Sequence, residues 1–265
     1  MSGEWFRRFA SLDGGSASPH RVTLVCFPHA GGAASAYVPL SRALAPGIDV
    51  LAVQYPGRQD RRRERPVDDI GRLADILTAS VHRELRGPYA FFGHSMGAVL
   101  AYETARRLRD RELGGPSRLF LSARGAPTGE RDPNDRLCTD AEVLAAVRRL
   151  GGTASAVLDD PELRDMVMPA LRADYGALGS YTWRESEPLS VPFRVLVGDS
   201  DPVVNVAQAS AWRDFTTART TVDVFPGGHF YLDAQVPAIA RTVADDLLGA
   251  DDSWVAAASS AGRAR

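Results

Sequence analysis

Gly93-His94-Ser95-Met96-Gly97 is a G-x-S-x-G string, and it occurs once in the chain. A serine can attack an acyl carbon if a neighbouring base takes its proton. Five letters alone are weak grounds for that chemistry; their setting is stronger. The string directly follows the apolar run 89–93 (YAFFG) and directly precedes a helical pattern, AVLAYETARRL. Strand, sharp turn and helix in that order make a nucleophile elbow. The glycines are needed because so tight a turn leaves no room for a Cβ. The serine then stands at a helix N-terminus, where the dipole and free N–H groups favour developing negative charge.

The base follows by elimination. Of His20, His29, His82, His94 and His229, only His229 lies after Ser95, and the chain order around such an elbow is serine, acid, histidine. His94, beside the nucleophile, reads as a packing and hydrogen-bonding residue. The acid is expected at a strand end between Ser95 and His229. Gly198-Asp199-Ser200-Asp201-Pro202 follows the run FRVLVG and offers two carboxylates. Asp201 is favoured, since an acid a few residues past the strand can reach a histidine on the next loop. Asp199 is the alternative, or a brace for the loop. The loop Pro28-His29-Ala30-Gly31-Gly32 follows the run RVTLVCF, where one oxyanion N–H is expected. That assigns the donors to Ala30 and, after the nucleophile, Met96. A phosphate-binding reading of these glycines lacks both G-x-x-x-x-G-K-[ST] and G-x-G-x-x-G strings.

The 265 residues are 45% hydrophobic and 24% charged, ordinary for a globular protein, with a net charge of −2. That balance argues against a dedicated nucleic-acid binder. No apolar run reaches the ~18 residues of a membrane span. The first residues, MSGEWFRRFASLDGG, lack a secretory apolar core, so a cytoplasmic location is expected. Two cysteines, Cys26 and Cys138, are too few for a disulfide framework. With five histidines, neither a metal nor a cofactor site is expected.

Six runs read as strands: 21–27, 50–55, 89–93, 118–123, 193–198 and 220–225. Several are almost wholly apolar, as in a parallel sheet covered on both faces. Helical patterns fill 70–85 and 96 to about 112. The alternation predicts a doubly wound α/β fold. The connection from 124 to 192 is too long for a plain crossover and carries helical signals of its own. Thr139 with Glu142 forms a capping box ahead of Leu144, Val147 and Leu150; a second helix starts at Asp160-Pro161-Glu162, with a kink expected at Pro169. An inserted helical pair there predicts a lid over the sheet's carboxyl edge. We expect a single α/β domain over 1–249, a lid over about 126–190, and a frayed tail over 250–265.

Taken together, FPHAGG (27–32), QYPGR (54–58), FFGHSMGA (91–98), LRADY (171–175), GDSDP (198–202) and FPGGHF (225–230) resemble the discrete type II thioesterases of polyketide synthase and nonribosomal peptide synthetase systems. The likeness covers roughly 5–248. It implies an α/β-hydrolase fold with a helical lid, a triad of Ser95, Asp201 and His229, and a monomer. The implied activity is hydrolysis of acyl groups from the phosphopantetheine thiol of carrier domains, that thiol being part of the substrate. Chain-terminating relatives commonly place the acid after the strand that follows the nucleophile helix. Here Arg124-Gly125-Ala126 stands there, and the chain stands alone, which favours the editing type.

Spacing cannot separate a thioester from an oxygen ester, since one triad serves both. A carboxylesterase and a medium-chain fatty acyl-carrier hydrolase are therefore alternatives. A non-catalytic binding protein on this fold is disfavoured by the intact triad. The run Arg58 to Arg65 is locally basic and could draw the acidic face of a carrier protein through Arg61, Arg62 and Arg63. Tyr175, Tyr181 and Trp183 are candidate pocket walls.

Overall fold

The computed structural model describes residues 4–9, 22–127, 133–137, 139–151 and 158–249. The proposed tail at 250–265 and Cys138 lie outside them. Seven strands appear among the described residues: β1 (Phe6–Arg8), β2 (Thr23–Phe27), β3 (Asp49–Val53), β4 (Tyr89–His94), β5 (Leu119–Ser122), β6 (Phe193–Gly198) and β7 (Thr220–Phe225). They form one sheet in the order β1-β3-β2-β4-β5-β6-β7. Only the β1–β3 pairing is antiparallel. All six strands read from the sequence are present, and β1 is an addition at the edge.

The helices are α1 (Val38–Leu44), α2 (Ile70–Glu84), α3 (Met96–Asp110), α4 (Asp140–Leu150), α5 (Pro161–Ser180), α6 (Val206–Ser210), α7 (Tyr231–Ala234) and α8 (Val236–Leu248). Alternate residues of each central strand face opposite layers. Val25, Phe91 and Leu121 join one apolar cluster with α2 and α3. Leu24, Phe92 and Phe120 join the other, with α1 and α8. A sheet covered on both sides, with mostly parallel strands, is the doubly wound α/β plan foreseen from the alternation and the α/β-hydrolase fold that the resemblance implied.

Between β5 and β6 the chain leaves the sheet and builds α4 and α5. Thr139 caps α4 in a capping box with Glu142, and the Asp160 side chain accepts from the N–H groups of Glu162 and Leu163 to start α5. Val143, Val147, Leu158, Met168, Leu171 and Tyr175 bury a small core between the two helices. Pro169, where a kink was expected, lies inside α5, which is one helix of 20 residues.

Candidate active site

β4 ends at His94, and α3 begins at Met96, leaving Ser95 alone to make the turn. Its backbone sits at φ 56° and ψ −117°, a region that side chains rarely adopt. The flanking glycines are steric necessities. A Cβ on Gly97 would lie 1.9 Å from the carbonyl oxygen of Phe27, and one on Gly93 would lie 2.2 Å from that of Gly97. The bend is tied to the sheet by Ser95 N–H, which donates to Ser122 O at 2.8 Å.

His229 arrives on the loop after β7, and its Nε2 stands 3.0 Å from Ser95 Oγ. Its Nδ1 stands 2.9 Å from Asp201 Oδ2. An ionised carboxylate only accepts, so Nδ1 donates to Asp201 and Nε2 is left to accept from the serine hydroxyl. The side chains of His229 and Asp201 are almost wholly buried. The other oxygen of Asp201 accepts from the N–H of Val203 at 2.9 Å and of Val204 at 3.3 Å, which fixes the carboxylate plane. Asp199 takes the other role weighed for it. Its Oδ1 accepts from Gly227 N–H and from the Ser200 hydroxyl, bracing the loop that leads to His229. Those hydrogen bonds, Gly227 first, hold its carboxyl below the usual carboxylate range.

His94 lies beneath the triad, its ring 5.4 Å from that of His229. Nδ1 of His94 meets the Ser122 hydroxyl at 2.9 Å, and that hydroxyl meets Tyr231 at 2.6 Å. Burial, reinforced by the neighbouring His229 and His29, holds the His94 imidazole well below its ordinary value. His29 is lowered to about 4 by burial, then by His229 and Arg58. Ser122 and Tyr231 carry no motif of their own in the sequence.

Ala30 borders the same small cavity as Ser95 and His229, about 30 Å³ in volume. Met96 is the first residue of α3, whose first-turn N–H groups have no acceptor within the helix. Tyr175 lines this cavity, but Tyr181 and Trp183 do not. Tyr181 donates to Glu103 at 2.8 Å and Trp183 stacks edge-on against Phe215, so both belong to the packing around α3. A larger cavity of about 420 Å³ lies across the Ala30 loop, between His29, Phe230 and Val147, Leu158 and Leu171 of the α4–α5 core.

The basic run does not form one open surface. Arg61 is buried, 4.4 Å from the Trp5 ring and paired with Glu64 and Glu4, while Arg58 is buried against Asp174. Arg62 and Arg63 are exposed. Spacing gave no hint that Arg58 and Asp174, 116 residues apart, would meet. Burial raises the Asp174 carboxyl, while the Arg58 guanidinium and the Gly31 N–H pull the other way.

Among the described residues no His, Cys, Asp or Glu cluster could hold a metal ion, and no helix is long and apolar enough to cross a membrane.

The thioesterase-domain family matches residues 22–247. The thioesterase PikA5 of Streptomyces venezuelae is 42% identical over 96% of this chain and 90% of its own length. The probable cadicidin biosynthesis thioesterase of Streptomyces griseus is 44% identical over 92% of this chain, which spans 66% of that relative. Among solved structures, the type II thioesterase BorB from the borrelidin biosynthetic cluster superposes with a TM-score of 0.81 at 41% identity, covering 93% of this chain and 97% of that one. A serine elbow, its histidine and a matching sheet thus coincide with kinship over most of the chain, which belongs to the thioesterase family, among the type II thioesterases on an α/β-hydrolase fold.

Proposed function

We propose that this thioesterase is an editing enzyme of polyketide or nonribosomal peptide assembly. It hydrolyses acyl groups from the phosphopantetheine thiol of acyl or peptidyl carrier domains. The observation that carries the reading is the hydrogen-bonded chain from Ser95 through His229 to Asp201 beneath a helical cover. Relatives named for the cadicidin and borrelidin pathways support the setting.

Ser95 Oγ attacks the thioester carbonyl while His229 Nε2 takes its proton. Asp201 holds the imidazole tautomer and stabilises the imidazolium without accepting the proton itself. The N–H groups of Ala30 and Met96 hold the oxyanion, each such donor being worth roughly 10²–10³ in rate. The thiol leaves with the proton from His229. Water then attacks the acyl-serine carbonyl while giving a proton to His229, the bond to Oγ breaks, and His229 returns that proton to Ser95 as the acid departs. A thiol, with a pKa near ~8.5, departs more readily than an alcohol, so less proton transfer is needed than for an oxygen ester.

In this reading 1–249 is one unit, about 126–190 is its lid, and the enzyme works in the cytoplasm as a monomer without metal or cofactor. The experiment is intact-mass monitoring of carrier proteins loaded with a panel of acyl groups, with Ser95→Ala as control. Deacylation that vanishes in the variant supports the proposal. A strong preference for p-nitrophenyl esters over acyl-pantetheine would favour the carboxylesterase alternative.

A further inference from the structure

The turn His29-Ala30-Gly31-Gly32 is held from three directions. Within it, Gly32 N–H donates to His29 O at 2.9 Å. From the β3 side, Arg58 Nε donates to Gly32 O at 3.1 Å, and Gln54 Oε1 accepts from Ala34 N–H at 2.8 Å. The third hold comes from the lid. Asp174, on α5, accepts from Gly31 N–H at 2.7 Å, and the same oxygen is bound by Arg58 Nη2. One turn earlier on α5, Leu171 packs so closely on Gly31 that a Cβ there would lie 2.5 Å from its Cδ2.

This arrangement dictates where Ala30 N–H points. The His29–Ala30 peptide has its carbonyl pinned inward by Gly32, so its N–H projects the opposite way. The next peptide N–H, that of Gly31, has its acceptor in Asp174 Oδ2 at 2.7 Å. A bare carboxylate so near would oppose an oxyanion; in contact with Arg58, whose side chain is 5% exposed against 1% for Asp174, it forms a neutral pair.

We propose that Asp174 is the positioning residue of the oxyanion loop, so that the Ala30 donor is set only while α5 is seated on Gly31. The inference rests on the assignment of Ala30 made above. It also gives the otherwise unexplained segments QYPGR and LRADY a shared purpose, since Arg58 closes one and Asp174 lies in the other. Lifting α5 removes the acceptor for Gly31 and lets the turn rotate.

The test uses the full chain with Asp174→Ala and Asp174→Asn, kinetics on an acyl-pantetheine thioester and on p-nitrophenyl acetate, and inhibition by a trifluoromethyl ketone analogue of the acyl group. That ketone adds to Ser95 and places an oxyanion in the hole. For folded Asp174→Ala we expect kcat to fall about 10²-fold with KM within about threefold, and ketone affinity to fall in step. Asp174→Asn keeps an acceptor for Gly31 and is expected to lose only about tenfold in both. Should the alanine variant not fold, the asparagine variant decides alone. A folded variant that melts earlier yet keeps kcat and ketone affinity within twofold overturns the proposal, because the residue is then only structural. If wild type ignores the thioester but turns over p-nitrophenyl acetate, the functional reading fails, and the acetate kinetics still decide the role of Asp174.

Discussion

Asp201 and Asp199 leave the same strand end two residues apart, yet Asp201 Oδ2 lies 2.9 Å from His229 Nδ1 while Asp199 is turned to Gly227 N–H at 3.0 Å. The two should therefore separate in kinetics. Asp201→Asn is expected to lower kcat by roughly 10³- to 10⁴-fold, because the histidine loses its enforced tautomer. Asp199→Asn should lower kcat by less than about tenfold, since the loop loses only a brace. Steady-state turnover of the two purified variants, with circular dichroism as a fold control, makes the comparison. Equal losses would mean that Asp199 also serves the imidazole.

A Cβ on Gly97, in the first turn of α3, would lie 1.9 Å from the carbonyl oxygen of Phe27 at the end of β2. Gly97→Ala drives a methyl group into the Phe27 carbonyl, backbone against backbone, so no side chain can swing away. We expect a loss of at least about 3 kcal/mol, or failure to fold. Gly176→Ala, on α5, has no atom within 4 Å of the added Cβ and serves as the neutral control in urea unfolding.

Acid should weaken the fold partly through His94. Burial keeps its imidazole neutral in the folded state, whereas in the unfolded chain it takes up a proton as pH falls through about 6.5. The folded pKa being the lower one, its contribution to stability is complete above about 6.5 and declines as pH falls toward the folded value. His29 acts in the same direction, down to about 4. The loss of unfolding free energy between pH 7.5 and 5.5 should be smaller in His94→Gln than in wild type. An identical loss in both would remove His94 from the account.

Arg61 and its neighbours Arg62 and Arg63 should part company. Arg61→Ala forfeits the Trp5 stacking, the hydrogen bond to Gln54 O at 2.9 Å and the ion pairs, an expected cost of about 2 kcal/mol. The double change Arg62→Ala, Arg63→Ala should stay within about 0.5 kcal/mol of wild type. If carrier proteins meet this loop, the double variant raises KM for acyl-carrier protein and leaves KM for a small acyl-thiol unchanged. An equal change in KM for both substrates, or no change in either, would exclude the loop as a docking surface.

The central strands were legible because sheet layers on both faces demand continuous apolar runs, as in 193–198 and 89–93. The elbow was legible because its string stands between a strand run and a helical pattern; Gly93 answers a local clash with Gly97, whereas Gly97 answers one with the distant Phe27 carbonyl. β1 escaped because three residues, FRR, at a sheet edge carry no periodicity, and α1 because it is a short helix opening on Pro39. α8 carries a readable spacing at Ile239, Ala240, Val243 and Ala244 that the strand–helix alternation left unassigned. Among the site residues, Ser95 and His229 follow from type and chain order, which leave Asp201 and Asp199 side by side and favour Asp201 only by its reach past the strand end. Arg58, Asp174, Ser122 and Tyr231 do not, since each acts through a partner that only the folded chain brings near.

The insertion between β5 and β6 has a consequence for how such enzymes diverge. The cover is encoded as one uninterrupted stretch whose ends are neighbouring strands paired in register from Leu119↔Phe193 to Ser122↔Leu196. Side chains that it leaves exposed, such as Leu163 and Met166, can vary without disturbing the sheet that carries Ser95. That freedom ends where the insertion meets the rest of the chain, at Gly31 through Asp174, at Glu103 through Tyr181 and in the main core through Ala177 and Leu178, so changes of acyl preference are expected at its remaining positions.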